Sequence, residues 1–356
     1  MPGFLCYSWH GQQLPEPITL KKSVALTMCF AVMLAASFVA VADTTPEDAE
    51  AYRTSAMTTL RGHIGAASMH VVRGLVDDAA FSAAWLLLVT SALQADEALV
   101  ERGKYLIHAG GCVTCHTAED DDAVPLAGGR ALKSPFGTFY SPNITPERQT
   151  GIGDWSDEDF VRAFWDGVNP SGEDYFPAFP FTSYTGVARD DLLAMKAYLF
   201  SLEPIEKANR EHDLPFMTSS RRAAAAWKAR YFSAGRFEPD PGQSDEWNRG
   251  AYLVRHLGHC GECHTPRSRL GAIRDTHELR GNPDGPGEEK IPNITADPDD
   301  GIGRWTLKDI EYFLDIGMLP DGDFTGGSMS AVIEDNTSQL TSEDRLAIAT
   351  YLKSLE

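Results

Sequence analysis

The sequence predicts an all-α protein made of two tandem domains joined by a packed connector, with a helical extension at the N-terminus. Three observations carry this prediction. Two parts of the chain repeat one another at an offset of about 150 residues. Each repeat closes on an amphipathic segment with apolar residues at helical spacing, Asp191–Leu202 and Asp344–Leu355. Each repeat also opens on a similar run that ends in Cys-x-x-Cys-His.

The elements follow in order. Lys21 and Lys22 precede an uncharged run, Ser23 to Ala42, that ends in Ala40-Val41-Ala42 before Asp43. A basic flank, an apolar stretch and small residues at the end mark an export signal, so 1–42 is read as a cleaved signal peptide. The alternative is an uncleaved anchor, because 20 apolar residues are about enough to span a bilayer. Residues 43–95 form the extension; within it Ala79–Ala95 is apolar and rich in Ala and Leu, which favours a helix. A further helix is expected over Glu97–His108.

Residues 96–203 make the first domain and 245–356 the second. Arg102-Gly-Lys-Tyr-Leu106 recurs as Arg249-Gly-Ala-Tyr-Leu253, and Asn143-Ile-Thr145 as Asn293-Ile-Thr295. Gly151-Ile-Gly-Asp-Trp155 recurs as Gly301-Ile-Gly-Arg-Trp305. Motifs repeated in the same order imply duplication. The connector, 204–244, contains Pro204, Pro215, Pro239 and Pro241 and a helical-looking stretch, Arg221–Tyr231.

The 356 residues include 31 Lys and Arg against 51 Asp and Glu, a net charge of −20. Such a surface repels phosphate backbones, which argues against a nucleic-acid partner. Six cysteines are too few for a disulfide scaffold of this length. Acidic runs at Glu119–Asp122 and Asp297–Asp300 could steer a basic protein partner or could be solvated loops.

Four cysteines carry the chemistry. Cys112-Val-Thr-Cys115-His116 and Cys260-Gly-Glu-Cys263-His264 have the attachment pattern of c-type haem. The spacing puts both thiols on one turn, where they add to the two vinyl groups, and the next His becomes the proximal iron ligand. A shared zinc site would not call for a His after each pair or a pair in each repeat. Two covalently bound haem c groups are therefore expected, held by Cys112, Cys115, His116, Cys260, Cys263 and His264.

Met is the usual sixth ligand in this class. In the second repeat Met329 is preferred, on a loop ahead of the last helix, over Met318. The corresponding loop of the first repeat, Tyr175–Phe181, has no Met. Met195 is expected to fill the core. The first haem is left five-coordinate or recruits Tyr175, Met217 or His212.

These motifs resemble the class I cytochrome c domains of membrane-dehydrogenase cytochrome subunits, such as those of alcohol, gluconate and sorbitol dehydrogenases, over about 99–356. That family usually has Pro-Ala-Met-Pro in the first domain; here Phe179 stands where its Met would be. The resemblance implies a first helix crossing the last, with Gly103 and Gly250 allowing the approach and Tyr198 and Tyr351 packed nearby. A weaker likeness covers 46–80. Glu50–Met57 and Arg61–Ala67 are similar to the opening of class II cytochromes (cytochrome c′), but without a haem motif.

The expected function is periplasmic electron transfer from a dehydrogenase or quinol-linked donor to a cytochrome or oxidase acceptor, without catalysis of its own. An uncleaved N-terminal segment would attach the protein to the cytoplasmic membrane. Methionine ligation raises a haem's potential, so electrons are expected to enter at the first haem and pass to the second. The rival reading is a haem enzyme or small-ligand binder acting at an open first haem.

Overall fold

The computed structural model describes residues 79–355, apart from 217 and 286–288. The export segment, the class II likeness before residue 79, and Met217 lie outside the described residues. The chain divides into two units, Met1–Gln94 and Ala95–Glu356. Of the first, the described part is helical backbone. No described helix is long and apolar enough to cross a membrane.

Helices dominate, as the all-α expectation requires. The sequence reading did not anticipate the short antiparallel hairpin β1 (Ala131–Ser134) and β2 (Gly137–Tyr140). Helix α1 (Ala79–Ala109) joins the apolar stretch and the expected Glu97–His108 helix into one element. It is followed by α2 (Cys112–His116), α3 (Asp157–Asp166), α4 (Phe181–Tyr184) and α5 (Arg189–Ser201). The connector carries α6 (Arg221–Tyr231), on the residues expected. Then come α7 (Asp245–Tyr252), α8 (Gly261–His264), α9 (Leu307–Ile316), α10 (Ser328–Asp335) and α11 (Ser342–Leu352).

The repeats use the same local devices. Helix α3 starts on a capping box between Ser156 and Asp159, and α9 on one between Thr306 and Asp309. In each, hydroxyl and carboxylate satisfy two otherwise unpaired backbone donors. Both helices stop at a left-handed glycine, Gly167 at φ 60° and Gly317 at φ 76°.

The expected helix crossings are present. A Cβ on Gly103 would lie 1.9 Å from the Ala194 carbonyl oxygen of α5, and one on Gly250 1.9 Å from that of Ala347 on α11. Tyr198 and Tyr351 flank these contacts. No side chain fits there, so glycine is required by contact rather than by backbone conformation. Leu192, Met195 and Leu199 on α5, and Ile348 and Tyr351 on α11, are buried in one continuous apolar core. Met195 fills core, as expected.

One difference between the repeats has a countable cause. From Arg102 to Cys112 is ten residues, whereas from Arg249 to Cys260 is eleven. The extra residue is absorbed by a π-helical turn, Leu253–Leu257, which widens the helix to accept one insertion. The register is thereby restored, and His259 (φ 40°) takes the left-handed place that Gly111 (φ 66°) occupies in the first repeat.

The connector is packed on the first repeat. Asn209 accepts from the Asn143 amide at 2.7 Å, and Arg236 lies 3.6 Å over the Trp165 ring while donating to the Thr185 carbonyl at 2.6 Å.

Candidate functional site

Each Cys-x-x-Cys-His run forms a single helical turn entered from a left-handed residue. The four cysteines are free thiols. Burial pushes the Cys112 and Cys260 thiols up to about 12, and the Cys263 thiol, with Glu262 adding to the effect, up to about 11. Among the described residues no three His, Cys, Asp or Glu side chains cluster to hold a metal ion.

The histidines are fixed by a shared device. His116 Nδ1 lies 2.8 Å from the Pro142 carbonyl oxygen, and His264 Nδ1 lies 2.8 Å from that of Pro292. A carbonyl only accepts, so Nδ1 carries the proton and Nε2 keeps its lone pair. Burial lowers both imidazole pKa values, which also favours the neutral ring. A neutral imidazole oriented by a second partner on its other nitrogen is the arrangement a metal-ligating histidine needs.

The repeated Asn-Ile-Thr motif builds that device. Asn143 Oδ1 accepts from the Thr145 amide and hydroxyl at 2.9 and 2.8 Å, and Asn293 Oδ1 from those of Thr295 at 2.8 Å each. These turns begin one residue after Pro142 and Pro292 and hold the proline carbonyls against the histidines. The backbone carbonyls of His116 and His264 accept in turn from Gly128 and Gly281 at 2.7 and 2.8 Å. The prolines were missed in sequence, although extending each repeated motif one residue upstream would have found them.

The two motif-bearing turns adjoin. The Tyr184 hydroxyl donates to the Gly110 carbonyl at 2.8 Å, and the Tyr184 ring meets that of His259 edge-on with centroids 5.3 Å apart. His259 Nε2 is itself 3.3 Å from the Gly110 carbonyl. The Thr182 and Ser183 hydroxyls of the first repeat donate to Glu262, inside the second motif, at 2.9 and 2.8 Å. Thr114, inside the first motif, donates to Asp335 at 3.0 Å.

The candidate sixth ligands occupy corresponding places. The backbone bridge Val168–Asp174 in the first repeat matches Met318–Phe324 in the second. The same register sets Phe179 opposite Met329 and Val168 opposite Met318. Met329 is half-buried against the core, but it belongs to the first turn of α10 and not to a loop. Gly326 and Gly327 end just before that helix begins. Phe179 sits within an aromatic cluster, its ring 5.3 Å from Phe164, 5.4 Å from Tyr175 and 5.5 Å from Tyr184. His212 accepts at Nδ1 from the Tyr140 amide at 3.1 Å and packs on Phe139 and Phe176. Burial pushes the Tyr175 phenol up to about 12.

The residues present fit covalent haem attachment: paired cysteines on one turn, and a histidine directly after them whose Nδ1 is held by a carbonyl. No family model matches the chain. Comparison with characterised proteins does find relatives. The chain is 42% identical over 260 residues to a diheme cytochrome c-type protein of Cereibacter sphaeroides, covering 71% of this chain and 84% of that protein. It is 39% identical over 270 residues to the gluconate 2-dehydrogenase cytochrome c subunit of Pantoea cypripedii, covering 74% and 60%. It is 37% identical over 262 residues to the fructose dehydrogenase cytochrome subunit of Gluconobacter japonicus, covering 72% and 52%. The chain thus spans just over half the length of these last two. With matched haem-attachment turns and this degree of identity, the chain belongs to the family of dihaem c-type cytochromes and dehydrogenase cytochrome c subunits.

Proposed function

We propose that the chain is a two-haem electron carrier rather than a catalytic subunit, with class I cytochrome c domains at 96–203 and 245–356 joined by the connector 204–244. Cys112, Cys115 and His116 hold the first haem c, and Cys260, Cys263 and His264 the second, with Met329 as the second haem's sixth ligand. The observation that supports this most is the matched pair of histidines, each held at 2.8 Å by a proline carbonyl. The bound haems supply reversible one-electron chemistry at iron. The protein's own part is to hold each Nε2 unprotonated, to keep the macrocycle sites buried, and to set the two attachment turns side by side through Gly110, Tyr184 and His259.

With both haems bound, the chain would carry electrons from a dehydrogenase or quinol-linked donor to a cytochrome or oxidase acceptor, entering at the site of Cys112, Cys115 and His116 and leaving at that of Cys260, Cys263 and His264. The basic flank and apolar run expected as an export segment over 1–42 support a periplasmic location. Haem content by pyridine haemochromogen tests the assignment: two haems per chain in the wild type and one in the Cys260→Ser/Cys263→Ser variant. Two haems in that variant would overturn it.

Phe179 favours a second reading, small-ligand binding at the first haem, because its ring brings no donor atom. Carbon monoxide binding to one haem of two in the reduced protein would support that reading. Among the described residues, the rings packed on Phe179 are those of Phe164, Tyr175 and Tyr184, and none is the imidazole or carboxylate that general acid–base cleavage of an oxygen–oxygen bond most often uses.

A further inference from the structure

Charge along this chain is unevenly spread. The candidate domain 96–203 carries 18 acidic and 8 basic residues, and 245–356 carries 21 and 11. The connector reverses the balance, with 5 acidic and 7 basic. Helix α6 concentrates the excess: Arg221, Arg222, Lys228 and Arg230 with no acid.

The two faces of α6 differ. Arg221 and Lys228 point into the protein, where Arg221 lies 4.6 Å over the Phe176 ring and Lys228 pairs with Asp174 at 2.6 Å. Both partners belong to the loop that leads to Phe179. Arg222 and Arg230 are exposed. The Trp227 indole of the same helix donates to the Leu270 carbonyl at 2.7 Å, tying α6 to the loop that follows the second haem motif. That loop adds exposed Arg269 and Arg274, with Leu270 57% exposed between them. Arg222 and Arg269 have no ion-pair partner among the described residues. Asp174 and Glu262, on neighbouring segments, pair with Lys228 and Arg267, and Asp275 follows Arg274 in sequence.

We infer that Arg222, Arg230, Arg269 and Arg274, around Leu270 and Tyr231, form the docking surface for an acidic electron-transfer protein. An apolar centre flanked by four exposed arginines suits a brief, steered encounter. Helix α6 packs on the loop that leads to Phe179 and is tied to the loop after the second haem motif, so the surface adjoins segments of both repeats. A protein of net charge −20 repels acidic partners elsewhere, so only a local basic surface can receive one. This inference rests on the electron-carrier reading.

The test uses the holoprotein and its Arg222→Glu/Arg269→Glu variant, with a small acidic ferredoxin as reductant and a small basic mitochondrial-type cytochrome c as oxidant. Residue 222 lies in the first turn of α6, where glutamate favours the helix dipole, so the helix is kept. In stopped flow the wild type is reduced by ferredoxin faster at low than at high ionic strength, and the variant is about tenfold slower at low ionic strength. Reduction by dithionite and oxidation by the basic cytochrome stay within about twofold.

Equal ferredoxin rates in the two proteins, or a wild-type rate that rises with salt, overturn the docking surface. Wild-type co-sedimentation with phosphatidylglycerol vesicles, lost in the variant while ferredoxin rates are unchanged, also overturns it and assigns the surface to lipid. A wild type that dithionite reduces but that passes no electrons to the cytochrome would instead overturn the carrier reading.

Discussion

Tyr105 donates its hydroxyl to Asp344 at 2.6 Å, across 239 residues of sequence and from one repeat to the other. The relationship is reciprocal. Tyr252, the counterpart of Tyr105, donates to Asp191, the counterpart of Asp344, at 2.6 Å. Each aspartate also pairs with the arginine of its own repeat: Arg102 with Asp191, and Arg249 with Asp344 in a two-pronged contact at 2.8 and 2.6 Å. Each carboxylate is therefore shared between a local arginine and a remote tyrosine. His108 and His256 repeat the pattern, reaching the Asp335 and Ser183 carbonyls of the opposite repeat at 2.7 and 3.0 Å.

Replacing Tyr252 by Phe should destabilise the protein by about 2 kcal/mol, within the range for hydrogen bonds to charged acceptors. Asp191 is only 5% exposed and water cannot readily replace the donor. Tyr105→Phe should cost less, because Tyr105 is the more exposed of the two tyrosines. Denaturant titration of the holoprotein measures both. Because the bonds cross between repeats, residues 96–356 should unfold in one transition; separate transitions for the two repeats would contradict the interlock.

Acid should weaken the same contacts. Burial acts to raise the Asp344 carboxyl, but the Arg249 and Tyr105 bonds outweigh it and hold the group below its ordinary value. A depressed folded-state pKa means the stabilisation is complete above the unfolded value, about 4, and is lost as pH falls through the folded value. Stability should therefore fall below about pH 4. Asp344→Asn should flatten that fall and lower stability at neutral pH by about 2 kcal/mol, a figure reduced from that of a fully buried pair because the Arg249 side chain is 35% exposed.

Gly103→Ala and Gly250→Ala should each cost about 3 kcal/mol or more, since the new methyl would meet a backbone carbonyl and not a movable side chain. Gly172→Ala serves as the contrast: its Cβ would meet nothing, although its φ of 86° carries its own strain. Soluble holoprotein yield and thermal midpoint separate the two classes.

Phe179→Met should change the first haem and Met329→Ala the second. The expected outcome is a gain of the Met–iron charge-transfer absorption in the first variant, with loss of carbon monoxide binding if the wild type shows it. The second variant should lose that absorption and show a lower potential, because methionine favours ferrous iron. Redox titration with optical detection reads both. A Met329→Ala spectrum identical to wild type would remove Met329 from the iron.

Much of this was legible in the sequence because duplication writes each requirement twice. Gly103 and Gly250 stood at matched places, and both turned out to sit against a carbonyl. Arg221–Tyr231 looked helical and is α6; its alanines and basic residues are good helix formers, and the Ser220 hydroxyl accepts from the Arg222 amide. What stayed hidden depends on contacts between residues far apart in sequence. Nothing local to Tyr105 points to Asp344, and nothing local to His116 says that a carbonyl 26 residues later fixes its proton. Met329 was expected on a loop ahead of the last helix; Gly327, at a φ of 63°, instead starts α10 there. The extra residue before Cys260 was visible by counting, but its accommodation as a π turn depends on keeping Gly250 and Cys260 in register with their separate partners.

The reciprocal bonds also bear on ancestry. When residue i of one copy meets residue j of the other, and j of the first meets i of the second, the contact has the isologous form of a twofold homodimer. Such an interface is self-complementary before any fusion takes place. A gene encoding a single-haem ancestor that already paired with itself could be joined head to tail without inventing a new surface. After the join each copy was free to change alone, and the two now differ: Phe179 stands where the other copy has Met329, and ten residues separate Arg102 from Cys112 where eleven separate Arg249 from Cys260.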